Sequence, residues 1–189
     1  MNIEEIIDRL KSGNQNFVAD KLDGKLQDTD RRTELTKGQE PHTIVLSCAD
    51  SRVVPELIFD AGLGELFVVR VAGNVANTSS LASIEYAVAH CKSKVIVVLG
   101  HESCGAVTAA VNGGDNGYNL NHLLAHIAPA LAASEDGAAI SDVVKTNAQL
   151  NALELVSRSE IVSNAANNGS IKIVSAYYHL SSGEVEFLG

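Results

Sequence analysis

The chain lacks a long hydrophobic run, an excess of basic residues and enough cysteine for a disulfide scaffold. No stretch reaches the ~18 apolar residues that a spanning helix requires, and residues 1–11 carry acids without an apolar signal core. That pattern predicts a soluble, cytoplasmic protein with no membrane partner. Fourteen Lys and Arg stand against 23 Asp and Glu, a formal charge of -9 with no long run of one sign, so no nucleic-acid partner is expected. Three cysteines cannot all pair within one chain, and in a reducing compartment they are read first as metal ligands or nucleophiles. Internal repeats and low-complexity tracts are also absent.

What is present suits one core: 189 residues, 46% of them hydrophobic. The expectation is a single domain over 1–189, with a helix and arm at 1–40 and an α/β core at 41–189. Ile3, Ile6, Ile7 and Leu10 share one helical face, roughly extended by Phe17, which predicts an amphipathic helix over 2–19. Residues 20–40 are polar and read as an arm crossing a surface. Runs at 43–46, 66–71 and 95–99 are rich in Val and Ile and do not alternate, as strands of a parallel sheet buried on both faces do.

Leu81, Ile84, Ala87 and Val88 space a helix over 78–90 with Thr78 as its N-cap, giving a right-handed strand–helix–strand crossover. A short helix at 106–111 follows, then a glycine break at Gly113, Gly114 and Gly117, a helix at 119–133 and one longer helix at 141–166. Strands at 171–179 and 184–188 close the chain as a pair. The fold class is therefore α/β: about four parallel strands plus a C-terminal antiparallel edge strand, flanked by helices, with an N-terminal helical arm.

The chemistry sits after two predicted strands. Cys48 follows one, and His101-Glu102-Ser103-Cys104 follows another, so both leave the carboxyl edge, where open parallel sheets bind ligands. Two thiolates and an imidazole are zinc donors, and three protein ligands with an open fourth position suit catalysis, whereas structural zinc takes four. The third cysteine, Cys91, falls at the end of a predicted helix and reads as a small buried hydrophobe. Asp50 and Arg52, two residues apart in the loop after Cys48, can form a bidentate ion pair beside the metal. An ionised Asp50 accepts but cannot donate, so it would orient a metal-bound hydroxide.

Cys-Ala-Asp-Ser-Arg-Val at 48–53 and Gly-His-Glu-Ser-Cys-Gly at 100–105 resemble the β-carbonic anhydrase signatures, in the right order. The resemblance extends over Gly38-Gln39, Gly64-Glu65-Leu66-Phe67-Val68-Val69-Arg70 and Ala72-Gly73-Asn74. It implies reversible hydration of carbon dioxide to bicarbonate by attack of zinc-bound hydroxide. It implies one zinc ion per chain on Cys48, His101 and Cys104, and an Asp50–Arg52 dyad. Gly105 would lend its backbone N–H to substrate, Gln39 would supply the pocket amide, and Phe67 and Ala72 would line the pocket. A homo-oligomer is also implied, dimer or tetramer, with the active site near the dimer interface and the N-terminal helix reaching across to the partner. Relatives inhibited by bicarbonate hold it with Trp, Arg and Tyr. Here Val45 stands at the Trp position and only Arg70 is matched, so an Asp50 held by Arg52 is expected.

Two other functions fit the same ligands: hydrolysis of carbon disulfide or carbonyl sulfide, and a non-catalytic zinc or thiol module. The latter leaves Asp50, Arg52 and Gln39 unexplained. His122 and His126 lie four apart, but Leu123 replaces the Glu of a His-Glu-x-x-His motif, so a surface or structural role is expected. His42, His90 and His179 carry no motif, and Tyr86 reads as a core aromatic.

Overall fold

The structure, a computed structural model, describes residues 1–188. In chain order the helices are α1 Ile3–Val18, α2 Thr29–Leu35, α3 Pro55–Ile58, α4 Thr78–His90, α5 Gly105–Asn112, α6 Tyr118–Ala125, α7 Ala128–Ala133, α8 Ile140–Arg158 and α9 Glu160–Asn167. The strands are β1 Thr43–Ser47, β2 Leu66–Arg70, β3 Val95–His101, β4 Lys172–Tyr178 and β5 Val185–Leu188. They form one sheet in the order β2-β1-β3-β4-β5, parallel except for the last pair. No described helix is long and apolar enough to cross a membrane.

Strand alternation divides the core in two. Ile44, Leu46, Ile96 and Val98 face α4, α8 and α9, while Val45, Val95, Val97 and Leu99 face α1 and α3. A third cluster, beneath α5–α7 at the carboxyl edge, contains Cys48 and Cys104. The middle strands β1 and β3 are buried throughout, as their unbroken apolar runs predict, but β2 is an edge strand and only half-buried.

The N-terminal helix departs from expectation. Asn2 and Glu5 form a reciprocal capping box, with bonds of 2.8 and 2.9 Å, and Ile6, Ile7 and Leu10 are covered by the chain's own sheet. Arg9 donates to the Phe59 and Asp60 carbonyls, and Asn14 donates to those of Ile58 and Gly183, tying α1 within the chain. The arm carries the short α2, none of whose residues is buried.

Three boundaries also differ. The N-cap of α4 is Asn77, whose side chain accepts from Ser80 N, so Thr78 is the first helical residue. The helix expected over 119–133 breaks at His126 and Ile127, because Pro129 has no N–H to offer the Ala125 carbonyl. The helix expected over 141–166 breaks at Ser159, which is extended and caps α9 by accepting from Val162 N at 3.1 Å.

Candidate metal centre and active site

β1 ends one residue before Cys48, and β3 runs in register beside it to finish at His101. A left-handed Ser103, φ 55°, then turns the chain so that Cys104 becomes the N-cap of α5. These three side chains are buried, and their donor atoms lie within 4.8 Å of one another. His101 Nδ1 donates to the Glu102 carbonyl at 2.8 Å, which fixes the tautomer and leaves Nε2 as a bare acceptor. That Nε2 is buried and has no hydrogen-bond partner among the described residues. A buried lone pair facing two sulfurs fits a thiophilic divalent cation of zinc's kind.

The Cys104 thiol donates to the Cys48 sulfur and holds the Cys48 pKa below the ordinary thiol range; burial opposes this, and the Gly73 N–H reinforces it. The Cys104 pKa is raised, first by that same hydrogen bond and then by burial. Gly73 N lies 3.3 Å from Cys48 Sγ. Its φ of 71°, and Ile127 Cδ1 at 2.9 Å from where a Cβ would stand, require glycine there.

Asp50 is gripped by Arg52: Nε reaches Oδ1 at 2.9 Å and Nη2 reaches Oδ2 at 2.7 Å, while the Arg52 backbone N–H also donates to Oδ1 at 2.9 Å. Hydrogen bonding from Arg52 therefore holds the Asp50 carboxyl well below the usual carboxylate range. Asp50 Oδ2 is still 3.9 Å from His101 Nε2, so the carboxylate borders the ligand cluster. Arg70 steadies the loop by donating to the Cys48 carbonyl at 3.1 Å and the Asp50 carbonyl at 2.7 Å. A Cβ on Gly105 would meet nothing within 4 Å, so open space lies above the first turn of α5. Ala72, half-buried, starts the single 3-10 turn Ala72–Asn74 that carries Gly73.

Two expected pocket residues are not brought to this cluster by their own chain. Gln39 lies before β1, where Lys92 meets Glu40 and Ser93 donates to the Pro41 carbonyl, at the sheet's amino edge. β1 separates that edge from Cys48 by ~16 Å at strand rise. Phe67, level with Ile44 in the sheet, packs in the α4-side cluster, its ring centroid 6.3 Å from that of Tyr86. Tyr86 itself is 51% exposed, not a core aromatic.

Cys91 is buried, and burial raises its thiol pKa. The His122 and His126 rings meet edge to face at 5.6 Å at the C-terminal end of α6. Motif reading missed the buried polar groups around Gly73: Asn74, left-handed and without a partner for either amide atom among the described residues, and Asn147 and Asn151 on α8. Asparagines four apart on an otherwise apolar helix face were the available signal.

A mainly parallel sheet whose carboxyl edge gathers two thiols and an imidazole defines an α/β protein with a metal-competent Cys-His-Cys centre. Residues 43–185 match the carbonic anhydrase family profile, and the chain belongs to that family. It is similar to carbonic anhydrase 2 of Mycobacterium tuberculosis, at 41% identity over 181 residues, covering 92% of this chain and 87% of the relative. Its fold is similar to that of the β-carbonic anhydrase CcaA, with TM-score 0.76, 26% identity and coverage of 97% and 99% of the two chains. It is also similar to tetrameric β-carbonic anhydrases of Sordaria macrospora, with TM-score 0.72, 25% identity and 98% of each chain covered. The protein is thus a carbonic anhydrase of the β class, an enzyme of reversible carbon dioxide hydration.

Proposed function

We propose that Cys48, His101 and Cys104 hold one zinc ion per chain and that Asp50, fixed by Arg52, orients the attacking oxygen toward carbon dioxide. The observation that carries this reading is the bare Nε2 of His101 facing two sulfurs, with an immobilised carboxylate at its edge. When bound, zinc supplies the Lewis acidity that makes water nucleophilic near neutral pH. Asp50 stays ionised because of the Arg52 fork, so it only accepts, and it holds a proton of the nucleophile away from substrate. The Gly105 N–H, at the start of α5, would receive the negative charge that develops on a carbon dioxide oxygen. Ala72 contributes a small apolar wall beside it.

The pocket amide and phenyl ring come from a second subunit in this reading. Own-chain Gln39 and Phe67 lie away from the cluster, while β2 presents a half-buried apolar edge and Tyr86 stands exposed on the adjoining helix. A homodimer, or a tetramer built from it, would cover that edge and bring Gln39 and Phe67 of the partner subunit to the site. Residues 1–189 would act as one domain, with 1–40 as its arm. Free cysteines, three of them, suit the reducing cytoplasm.

The test is metal analysis with turnover. Stoichiometric zinc, and carbon dioxide hydration far faster than carbonyl sulfide or carbon disulfide hydrolysis, is expected. Zinc with hydrolysis of the sulfur compounds alone would overturn the substrate assignment.

A further inference from the structure

Helix α8 carries two asparagines where its buried face should be apolar. Asn147 and Asn151 are 1% and 3% exposed, among Val143, Val144, Ala148 and Leu155. Neither amide serves the sheet. Asn147 Nδ2 donates to the Gly73 carbonyl at 2.8 Å, and Asn151 Oδ1 accepts from the Ala76 N–H at 2.6 Å. The two are locked together, since Asn151 Nδ2 donates to the Asn147 carbonyl at 2.8 Å and to Asn147 Oδ1 at 3.1 Å. Arg158, further along the helix on nearly the same face, donates to the Ala76 carbonyl at 2.5 Å. The 72–76 segment is thereby clamped to α8 at three backbone atoms, and its turn is closed by Asn74 N–H to the Val71 carbonyl at 2.9 Å.

Burying two amides on a helix core face is costly unless each is satisfied, and here the satisfaction is spent on one turn. The functional output of that turn is the Gly73 N–H, 3.3 Å from Cys48 Sγ. We propose that Asn147 and Asn151 are positioning residues that, through the 72–76 turn, hold the Gly73 N–H on the Cys48 sulfur and so tune its electron donation to the metal. The inference rests on the reading of Cys48, His101 and Cys104 as metal ligands. A hydrogen bond to a ligating thiolate withdraws charge from it, and partners of this kind alter metal affinity as well as ligand orientation. Removing the clamp frees the Gly73 carbonyl to seek another donor, and its own N–H moves off the sulfur.

The experiment uses cobalt(II)-substituted and zinc-loaded protein. Asn147→Ala is expected to bind one equivalent of cobalt with its sulfur-to-cobalt charge-transfer absorption moved to longer wavelength. Its zinc affinity, measured by competition with a chelator, should fall about 10- to 100-fold. Asn151→Ala, which spares the direct contact to Gly73, carries the same test should Asn147→Ala not fold. Leu155→Ala is the control for simple destabilisation: it opens the core beneath the same helix without removing any hydrogen bond to the turn, and it should lower thermal stability with the absorption band unmoved. A wild-type band and affinity in the asparagine variants, or an equal shift in Leu155→Ala, would overturn the inference. A wild-type protein that takes up neither cobalt nor zinc would instead defeat the metal assignment, and this inference would fall with it.

Discussion

Arg52 holds both carboxylate oxygens of Asp50, at 2.9 and 2.7 Å, and its backbone N–H holds one of them again. The carboxylate is thereby kept beside the ligand cluster without joining it. Arg52→Ala should free Asp50 to turn toward the metal and lower kcat/KM by about 100-fold, the scale of a misplaced proton-handling group. Arg52→Lys should recover little, because an ammonium cannot reproduce the fork. Stopped-flow hydration checks both, and full activity in the lysine variant would count against the dyad.

The same pair has a signature in acid. The Asp50 pKa is depressed, so its contribution to stability is present above the unfolded value near ~3.9 and is lost as pH falls through the folded value. Urea unfolding of metal-free protein should show wild type more stable than Arg52→Ala at pH 7, with the gap narrowing below about pH 4. Partial solvent exposure keeps the effect modest. A gap that widens in acid would contradict this sign.

Much of this was legible in the sequence, and the misses have physical causes. The runs at β1 and β3 gave buried parallel strands directly, since no polar residue interrupts them. β2 has the same composition but lies at an edge, and composition cannot tell a strand covered by its own chain from one left for a partner. The long helix was overextended because Ser159 breaks it with a side-chain cap, without Gly or Pro. The Cys48, His101 and Cys104 cluster was visible because spacing after strands sets their convergence. The asparagine clamp was hidden by α8 itself, whose buried face mixes Asn147 and Asn151 with Val and Leu and so blurs its helical periodicity.

Thiol chemistry separates the three cysteines. After zinc is stripped, Cys48 should be alkylated by iodoacetamide at pH 7, since hydrogen bonds from Cys104 and Gly73 favour its thiolate. Cys91 is buried to the same degree as Cys48, but burial raises its pKa, so it should be modified far more slowly than Cys48 in the folded protein. Mass mapping of the labelled peptides reads this out. Preferential labelling of Cys91 would reverse the assignment.

Gln39 supplies a test of subunit sharing. Gln39→Ala and Asp50→Ala should each be impaired, and subunit exchange between them should restore activity. Heterodimers contain one site with both native residues, so about a quarter of all sites recover at equal mixing. If the mixture shows only the mean of its parents, Gln39 does not act across an interface.

The measurement that bears most directly on the central claim is stopped-flow carbon dioxide hydration by one preparation, first metal-free and then reconstituted with zinc, beside Cys104→Ser. Activity that is absent without metal, returns in proportion to zinc up to one equivalent per chain, and stays low in the variant is the predicted result. Equal hydration in the metal-free protein, or full activity without the Cys104 thiolate, would contradict it.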